Sequence, residues 1–217
     1  MSRQKREQNK AKYQLGIEHQ AKLDWMHSTL MAASGVLAAV AFLVNSIPIL
    51  IGSMVIAPVM PPMILVSIGL ATGNLKSVLK GIWITFTGLF LATLSAVITT
   101  WLLSITGINP ENMEIPQILL ERVTPGWYTV IAALAAAVAG ALAVSHRKQD
   151  TVVGVVASIA LVPTVAGAGI AAALGSWSNV WGGLIMLGIN IGIIIAVGWL
   201  VFIFFSEEEN ETDIQSD

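Results

Sequence analysis

The chain has 217 residues, of which 55% are hydrophobic and 11% charged, and its formal net charge is −2. This composition and a mean hydropathy of +0.78 exclude an ordinary soluble domain and predict an all-α integral membrane protein. Cysteine is absent, which excludes disulfides and thiolate metal sites.

A basic arm precedes the first apolar segment. Residues 1–27 carry six lysines and arginines: Arg3, Lys5, Arg6, Lys10, Lys12 and Lys22. Such an arm either contacts anionic lipid headgroups or serves only as a solvated topology signal. The apolar run that follows continues for a full span, unlike that of a cleavable signal peptide, and this favours a multi-pass protein of a prokaryotic inner membrane.

Six segments are long enough to cross a hydrocarbon core, which takes about 20 residues. They are residues 28–45, 48–72, 81–106, 127–145, 152–174 and 180–205. We therefore expect a membrane domain over residues 28–206. The acidic tail, residues 207–217, is predicted to be a disordered, solvated end.

Lysine and arginine lie almost entirely on one side of this predicted topology. Ten of the eleven basic residues fall in the N-terminal arm and in alternate loops, and only Arg122 lies on the other side. The positive-inside rule then places both termini in the cytoplasm. All seven tryptophans fall near predicted span ends, where an indole ring can be buried while its N–H stays hydrated.

Prolines interrupt the second and fifth predicted spans at places about a hundred residues apart. The interruptions are Ala57-Pro58-Val59-Met60-Pro61-Pro62 and Leu161-Val162-Pro163-Thr164. Proline has no N–H and clashes with the carbonyl four residues back, so these residues should release the carbonyls of Met54, Ala57, Pro58 and Ile159. Two halves of three spans each, about 28–106 and 125–206, would have opposite orientations, and paired broken helices in such an inverted repeat are typical of transport sites.

The first interruption predicts a helix that begins near Pro62-Met63 at mid-membrane, because Met60 and Pro61 each precede a proline and should be extended. Its N-terminus would attract an anion or a polar group, and the released carbonyls would instead suit a cation. The alternative is a purely structural kink. Candidate pathway residues are Ser53, Pro58, Pro61, Pro62, Pro163, Thr164 and Asn190.

Asn190, near the middle of the last span, either lines the pathway or hydrogen-bonds between helices. Gly188 and Gly192 form a G-x-x-x-G pattern that allows close helix packing within one subunit or in a dimer. We expect a homo-oligomer.

Catalytic and cofactor signatures are missing from the sequence. No ionisable residue lies inside a predicted span, which argues against proton coupling through a buried carboxylate. The sequence also offers no metal-ligand spacing, no nucleophile–base pair and no phosphate-binding glycine loop. We therefore expect no catalytic residues, no metal, no cofactor and no nucleic-acid partner.

The residues around the interruptions resemble a known family. The stretches Ile51-Gly52-Ser53-Met54-Val55-Ile56-Ala57-Pro58, Gly69-Leu70-Ala71-Thr72-Gly73, Glu121-Arg122-Val123-Thr124-Pro125 and Ala160-Leu161-Val162-Pro163 resemble the bacterial and archaeal membrane family catalogued as domain of unknown function 389. Asn190 also agrees, and the resemblance covers about residues 30–205. Two departures stand out, since Pro61 and Thr164 occupy positions where family members commonly have glycine and a second proline. The resemblance implies a fold and a site, and it names no substrate.

The function that we expect from the sequence is a channel or passive carrier for a small solute or ion, with its site between the two interrupted spans. The alternative is a non-transporting membrane subunit or a lipid-binding scaffold whose prolines are packing devices. An enzyme is not expected.

Overall fold

A computed structural model describes the backbone of residues 17–18, 20–105, 116–145 and 152–212, and it describes side chains there except in 140–145, 152–160 and 204–212. Within these ranges the chain forms eight α-helices and no strand. They are α1 Trp25–Leu43, α2 Ile47–Ile56, α3 Met60–Thr72, α4 Leu75–Ile105, α5 Gln117–Val123, α6 Trp127–Ser145, α7 Val152–Ala173 and α8 Trp177–Thr212. The all-α prediction is confirmed for the described part of the chain.

Among the residues whose side chains the structure describes, three helices are long and apolar enough to cross a membrane, namely α1, α4 and residues 177–203 of α8. The number rises to five if the bent pairs α2–α3 and α5–α6 each count as one span. The seven tryptophans all have exposed side chains, at 39% or more of their surface, as expected for rings that face lipid near an interface. Helix α8 continues to Thr212, so it includes residues that were predicted to be disordered.

The first proline interruption separates α2 from α3, which meet at an angle of 53°. Ala57 is extended, with φ −76° and ψ 115°, because the following Pro58 disfavours helical geometry in the residue before it. The helix after this break was predicted to begin near Pro62-Met63. The prediction is wrong by about two residues, since α3 begins at Met60. Proline is compatible with a first helical turn, where N–H groups have no partner within the helix.

The second predicted interruption is wrong. Helix α7 runs without a break from Val152 to Ala173 and contains Pro163 in its interior. A single proline removes one hydrogen bond and introduces one steric clash, and packing against α8, α4, α2 and α1 keeps this segment helical. The second half bends instead between α5 and α6, by 74°, where Thr124 is extended in front of Pro125.

Two tight turns have the same backbone form. Gly73, between α3 and α4, has φ +67°, and Gly175, between α7 and α8, has φ +72°. After each glycine the next residue donates its N–H to a carbonyl five residues back, as Asn74 does to Gly69 and Ser176 does to Ala171. These are Schellman-type helix ends, in which the left-handed residue is usually glycine.

The buried apolar side chains form two clusters that follow each other along the helices. Cluster 1 consists of Ile17, Ala21, Met31, Ala57, Val59, Met60, Met63, Ile64, Leu65, Ile68, Ile84, Leu89, Ala92, Ala137, Leu161, Val162 and Ile194. Cluster 2 consists of Ala38, Ala39, Ala41, Phe42, Leu50, Met54, Ala96, Ile118, Leu119, Val123, Ala166 and Ile170. Helices α1, α4 and α7 each have buried residues in both clusters, and the chain also passes from cluster 2 to cluster 1 at the α2–α3 break.

Candidate functional site

Four hydroxyl side chains lie at the boundary between the two clusters. Ser34, Ser95 and Thr164 each stand between a member of cluster 1 and a member of cluster 2, for example between Met31 and Ala38 on α1 or between Val162 and Ala166 on α7. Ser53 stands between Leu50 and Met54 of cluster 2, one turn before Ala57 of cluster 1. We call this set the hydroxyl layer, and it consists of Ser34 on α1, Ser53 on α2, Ser95 on α4 and Thr164 on α7. The layer places polar atoms in the middle of an otherwise apolar interior.

Ser34 and Ser53 connect α1 to α2. Both side chains are fully buried. The Ser34 hydroxyl donates to the main-chain carbonyl of Ser53 at 2.7 Å, and the Ser53 hydroxyl donates to the Leu50 carbonyl, also at 2.7 Å. Because a buried polar group without a partner destabilises the fold, these bonds allow hydroxyls to sit one turn before the proline break.

Ser95 connects α4 to α1 at the same level. Its hydroxyl lies 2.8 Å from the carbonyl oxygen of Ala32 and 3.0 Å from that of Ala92. A side chain at Gly35 would overlap the Ala92 carbonyl oxygen and the Ser95 hydroxyl, so only glycine lets α1 approach α4 this closely. Thr164, directly after Pro163, is 1% exposed, and we assign it to the layer because it stands between Val162 of cluster 1 and Ala166 of cluster 2.

The N-terminus of α3 is almost free of amide donors. The first four N–H positions of a helix lack partners inside it, and here Pro61 and Pro62 supply no N–H at two of them. The N–H of Val59 donates to the Ala57 carbonyl at 2.9 Å, which leaves Met60 as the amide in need of a partner. The Ala57 carbonyl, predicted to be released, therefore has a donor. This break can be buried among apolar side chains, and the polar side chain closest to it in sequence is the hydroxyl of Ser53.

The structure places the predicted site residues in different parts of the buried interior. Ser53 and Thr164 lie in the hydroxyl layer, Pro58 lies in the α2–α3 link, and Pro61 and Pro62 lie in the first turn of α3. The three prolines are close in sequence to Ala57, Val59 and Met60 of cluster 1. Pro163, which was predicted to break its span, is buried in the continuous α7 next to Val162 of the same cluster. The structure thus brings the two proline-containing segments into one buried region. Asn190, 2% exposed, lies on α8 between residues that pack against cluster 1.

Ser34 and Ser95 were missed by the sequence reasoning. Each lies in an apolar stretch of its helix, and the signal that could have identified them is their central position in spans one and three. In the described part of the chain, no three His, Asp or Glu side chains gather in a way that could hold a metal ion. The polar chemistry of this region comes from hydroxyls and main-chain carbonyls.

Replacing Ser34 with alanine should lower the stability of the protein by about 1–2 kcal/mol, because the buried Ser53 carbonyl loses its hydroxyl donor. Thermal unfolding in detergent, followed by tryptophan fluorescence, measures this change. Ser28→Ala is the matched control on the same helix, since the Ser28 hydroxyl bonds only to the Asp24 carbonyl one turn away in an exposed position. Equal melting temperatures for the two variants would contradict a structural role for the layer.

Comparison with known proteins gives one family and one relative. The model of the family described as Domain of unknown function (DUF389) matches residues 54–196. An uncharacterized protein of Methanocaldococcus jannaschii is 28% identical over 179 residues, which is 82% of this chain and 51% of that protein. The chain therefore spans about half the length of this relative. No solved structure matches.

Proposed function

The chain belongs to the family described as Domain of unknown function (DUF389), and from its geometry we propose that it is a channel or passive transporter for a small solute or ion. In this proposal the protein crosses a prokaryotic inner membrane six times with both termini in the cytoplasm. The pathway passes through the hydroxyl layer beside the α2–α3 break. An internal repeat in the chain, and the position of the polar groups within it, support this function.

The two halves of the chain correspond at a constant offset of 102 positions. Helices α1 and α6 begin at Trp25 and Trp127 and both have 19 residues. The left-handed turn residues Gly73 and Gly175 differ by the same 102 positions. So do Leu75 and Trp177, which begin α4 and α8. Pro61 and Pro163 also correspond, although only the first lies at a break.

Reciprocal contacts between the halves carry the proposal. The Ser67 hydroxyl on α3 donates to the Ile195 carbonyl on α8 at 3.3 Å. The residues 102 positions from this pair are Gly169 and Thr93, and a side chain at Gly169 would overlap the Thr93 methyl group. In each case a segment of one half lies against the last helix of the other half, which is the pattern expected of two units related by a two-fold axis.

An odd number of spans in each half would make these related units opposite in orientation. Inverted repeats of this kind occur in many transporters, where binding lies near the middle of the bilayer and one half rocks against the other. In this proposal the hydroxyl layer takes that central position, because it lies at the boundary between cluster 1 and cluster 2. A solute in the pathway would replace its hydrogen bonds to water with hydrogen bonds to hydroxyls and main-chain carbonyls. The site therefore needs no charged side chain.

A flux measurement on purified protein in proteoliposomes tests this function over a panel of ions and small polar metabolites. We expect at least one solute to cross faster than in protein-free vesicles. Thr164→Val keeps the shape but removes a hydroxyl of the layer, and a lost bond of about 1 kcal/mol should change that flux about fivefold. Thr87→Val is the control, because the Thr87 hydroxyl bonds to the Trp83 carbonyl of its own helix in an exposed position.

A second candidate function is a non-transporting membrane subunit or scaffold. The observation that favours it is the dry packing of the break, where Ala57, Val59 and Met60 are at most 4% exposed. If no solute in the panel crosses faster than in empty vesicles, the scaffold becomes the better explanation. If Thr87→Val and Thr164→Val change flux equally, the pathway does not pass through the hydroxyl layer.

A further inference from the structure

Helix α5 carries an arginine that lacks a hydrogen-bond partner among the described residues. The Nε of Arg122 is buried and unpartnered, and in the described part of the chain the only other side-chain atom in this condition is Nε2 of His27. A histidine can lose its charge, whereas a guanidinium stays protonated in proteins. Because a buried charge without a partner destabilises a fold, we expect Arg122 to meet an acceptor that the described chain does not supply.

Arg122 lies on the inner face of α5. Successive helical residues are turned by about 100°, which places Arg122 between the directions of Ile118 and Leu119. These two residues and Val123 are the buried residues of this helix, and all three belong to cluster 2. The neighbouring Glu121 is exposed, and no hydrogen bond joins its side chain to that of Arg122. The positive charge therefore lies at the edge of an apolar cluster rather than on a solvated face.

Contacts with two other helices hold α5 in place. The Val123 side chain would lie 3.2 Å from a methyl group at Gly167 on α7 and 3.3 Å from one at Gly183 on α8, and the Val123 carbonyl oxygen would overlap one at Gly182. Helix α5 therefore cannot rotate so as to carry Arg122 into solvent. The arginine side chain is half-buried with Nε enclosed, which leaves the terminal nitrogens of the guanidinium as its accessible donors.

The internal repeat indicates that packing of α5 does not account for the charge. The residue 102 positions before Val123 is Ala21, and both are 1% exposed. The residue 102 positions before Arg122 is Gln20, which is neutral and exposed. The buried apolar position is thus common to both halves, while the arginine belongs to the second half alone. A requirement of the repeat itself does not explain why this position carries a guanidinium.

The residues after α5 indicate the depth of Arg122 in the bilayer. Trp127, which begins α6 five residues later, is 86% exposed, and Tyr128 is 64% exposed. Tryptophan and tyrosine are enriched at the level of the lipid headgroups, where each phospholipid presents a phosphate group. Arginine binds phosphate through two parallel hydrogen bonds that match its planar fork. A phosphate group therefore suits both the position and the donors of Arg122.

We propose that Arg122 binds a phosphate group at the cluster 2 end of the protein, through the terminal nitrogens of its guanidinium. The phosphate belongs either to a phospholipid headgroup or to a free phosphate ion at the same interface. Its negative charge neutralises the half-buried guanidinium and so stabilises α5 against cluster 2. This binding does not require transport and does not rest on the proposed function.

Thermal unfolding of the delipidated protein in a phosphate-free maltoside detergent, followed by tryptophan fluorescence, tests the site. One arm adds inorganic phosphate and the other adds dihexanoyl phosphatidylglycerol below its micelle concentration, each against sodium chloride at the same ionic strength. A ligand that binds only the folded state raises the melting temperature. Arg122→Gln removes the charge, and Arg122→Lys keeps the charge without the fork. Lys76→Gln is the control, because Lys76 is an exposed basic residue on α4.

We expect at least one probe to raise the melting temperature of the parent protein and of Lys76→Gln equally. Arg122→Gln should bind that probe at least about tenfold more weakly, as expected for loss of charge-assisted hydrogen bonds, and Arg122→Lys should fall between. Without a probe, Arg122→Gln should melt no lower than the parent protein, since it removes a half-buried charge that has no partner. A lower melting temperature there would reveal a partner within the chain and overturn the proposal.

The two arms distinguish the sources of the phosphate. A response to the phospholipid alone identifies the headgroup, and a response to inorganic phosphate identifies a free anion. The site would also be overturned if the parent protein responds to neither probe, or if Arg122→Gln keeps a parent-like affinity. Should Arg122→Gln not fold, a parent-like affinity in Arg122→Lys has the same consequence. The flux measurement is a separate experiment, and a negative result there leaves this assignment unchanged.

Discussion

Gly35→Ala should leave little folded protein, because the added methyl group would overlap the Ala92 carbonyl oxygen and the Ser95 hydroxyl. Overpacking a core typically destabilises by about 1–3 kcal/mol, occasionally more. Here the obstacle is main chain, which cannot rotate away, so α1 and α4 must separate. Separation also breaks the bond from Ser95 to Ala32 at 2.8 Å and opens the hydroxyl layer. We expect a cost at or above the upper end of that range.

The measurement is the yield and melting temperature of the variant by fluorescence-detected gel filtration in detergent. Gly52→Ala is the control, because a side chain at Gly52 meets no atom within 4 Å and alanine favours helix over glycine by up to about 1 kcal/mol. The control should melt at or slightly above the temperature of the parent protein. A Gly35→Ala variant that melts like the control would show that the α1–α4 contact tolerates a wider separation.

The double change Pro61→Ala and Pro62→Ala should destabilise the protein by about 2–6 kcal/mol, although alanine is ordinarily the better helix former. The change adds two N–H groups to the first turn of α3, and Pro62 lies in the buried interior. The nearby Ala57 carbonyl already accepts the Val59 N–H. Each buried donor without a partner destabilises by about 1–3 kcal/mol.

Pro48→Ala is the matched control for this prediction. Pro48 occupies the first turn of α2 in the same manner, but it is exposed, so the new N–H can reach water or lipid headgroups. Its effect should stay within about 0.5 kcal/mol. Thermal unfolding of the two variants in the same detergent measures this difference in stability. If the double variant is as stable as the control, α3 has found acceptors for both amides and its N-terminus is more polar than the structure indicates.

The lengths and apolar character of the helices were predictable, because a membrane-crossing helix has a simple length requirement. The first break was predictable as well, since three prolines within five positions remove several helix bonds. Pro163 shows the limit of that reasoning. A lone proline distorts a helix locally, and whether the helix continues depends on neighbouring helices that the local sequence does not reveal.

The hydroxyl layer could be predicted only in part. Ser53 and Thr164 were predicted and lie within five residues of a proline, whereas Ser34 and Ser95 have no proline nearby. Their common depth results from how α1 and α4 are aligned, and Gly35 sets that alignment through tertiary contact. Helix α5 was overlooked for a similar reason, since seven residues beside an acidic stretch show too little periodicity to separate a buried segment from a loop.

The two glycine turns also fix the register between the helices that they connect. With only Gly73 and Asn74 between α3 and α4, the turn fixes how far α4 is displaced and rotated relative to α3, and Gly81 then lies against Val66. One inserted residue would shift α4 by about 1.5 Å and turn it by about 100°, which would move a large side chain into that contact. The same applies to Gly175, which sets Gly183 against Ala168. Insertions and deletions should therefore be excluded from these two turns during evolution, even though both lie at the surface where loops usually vary freely.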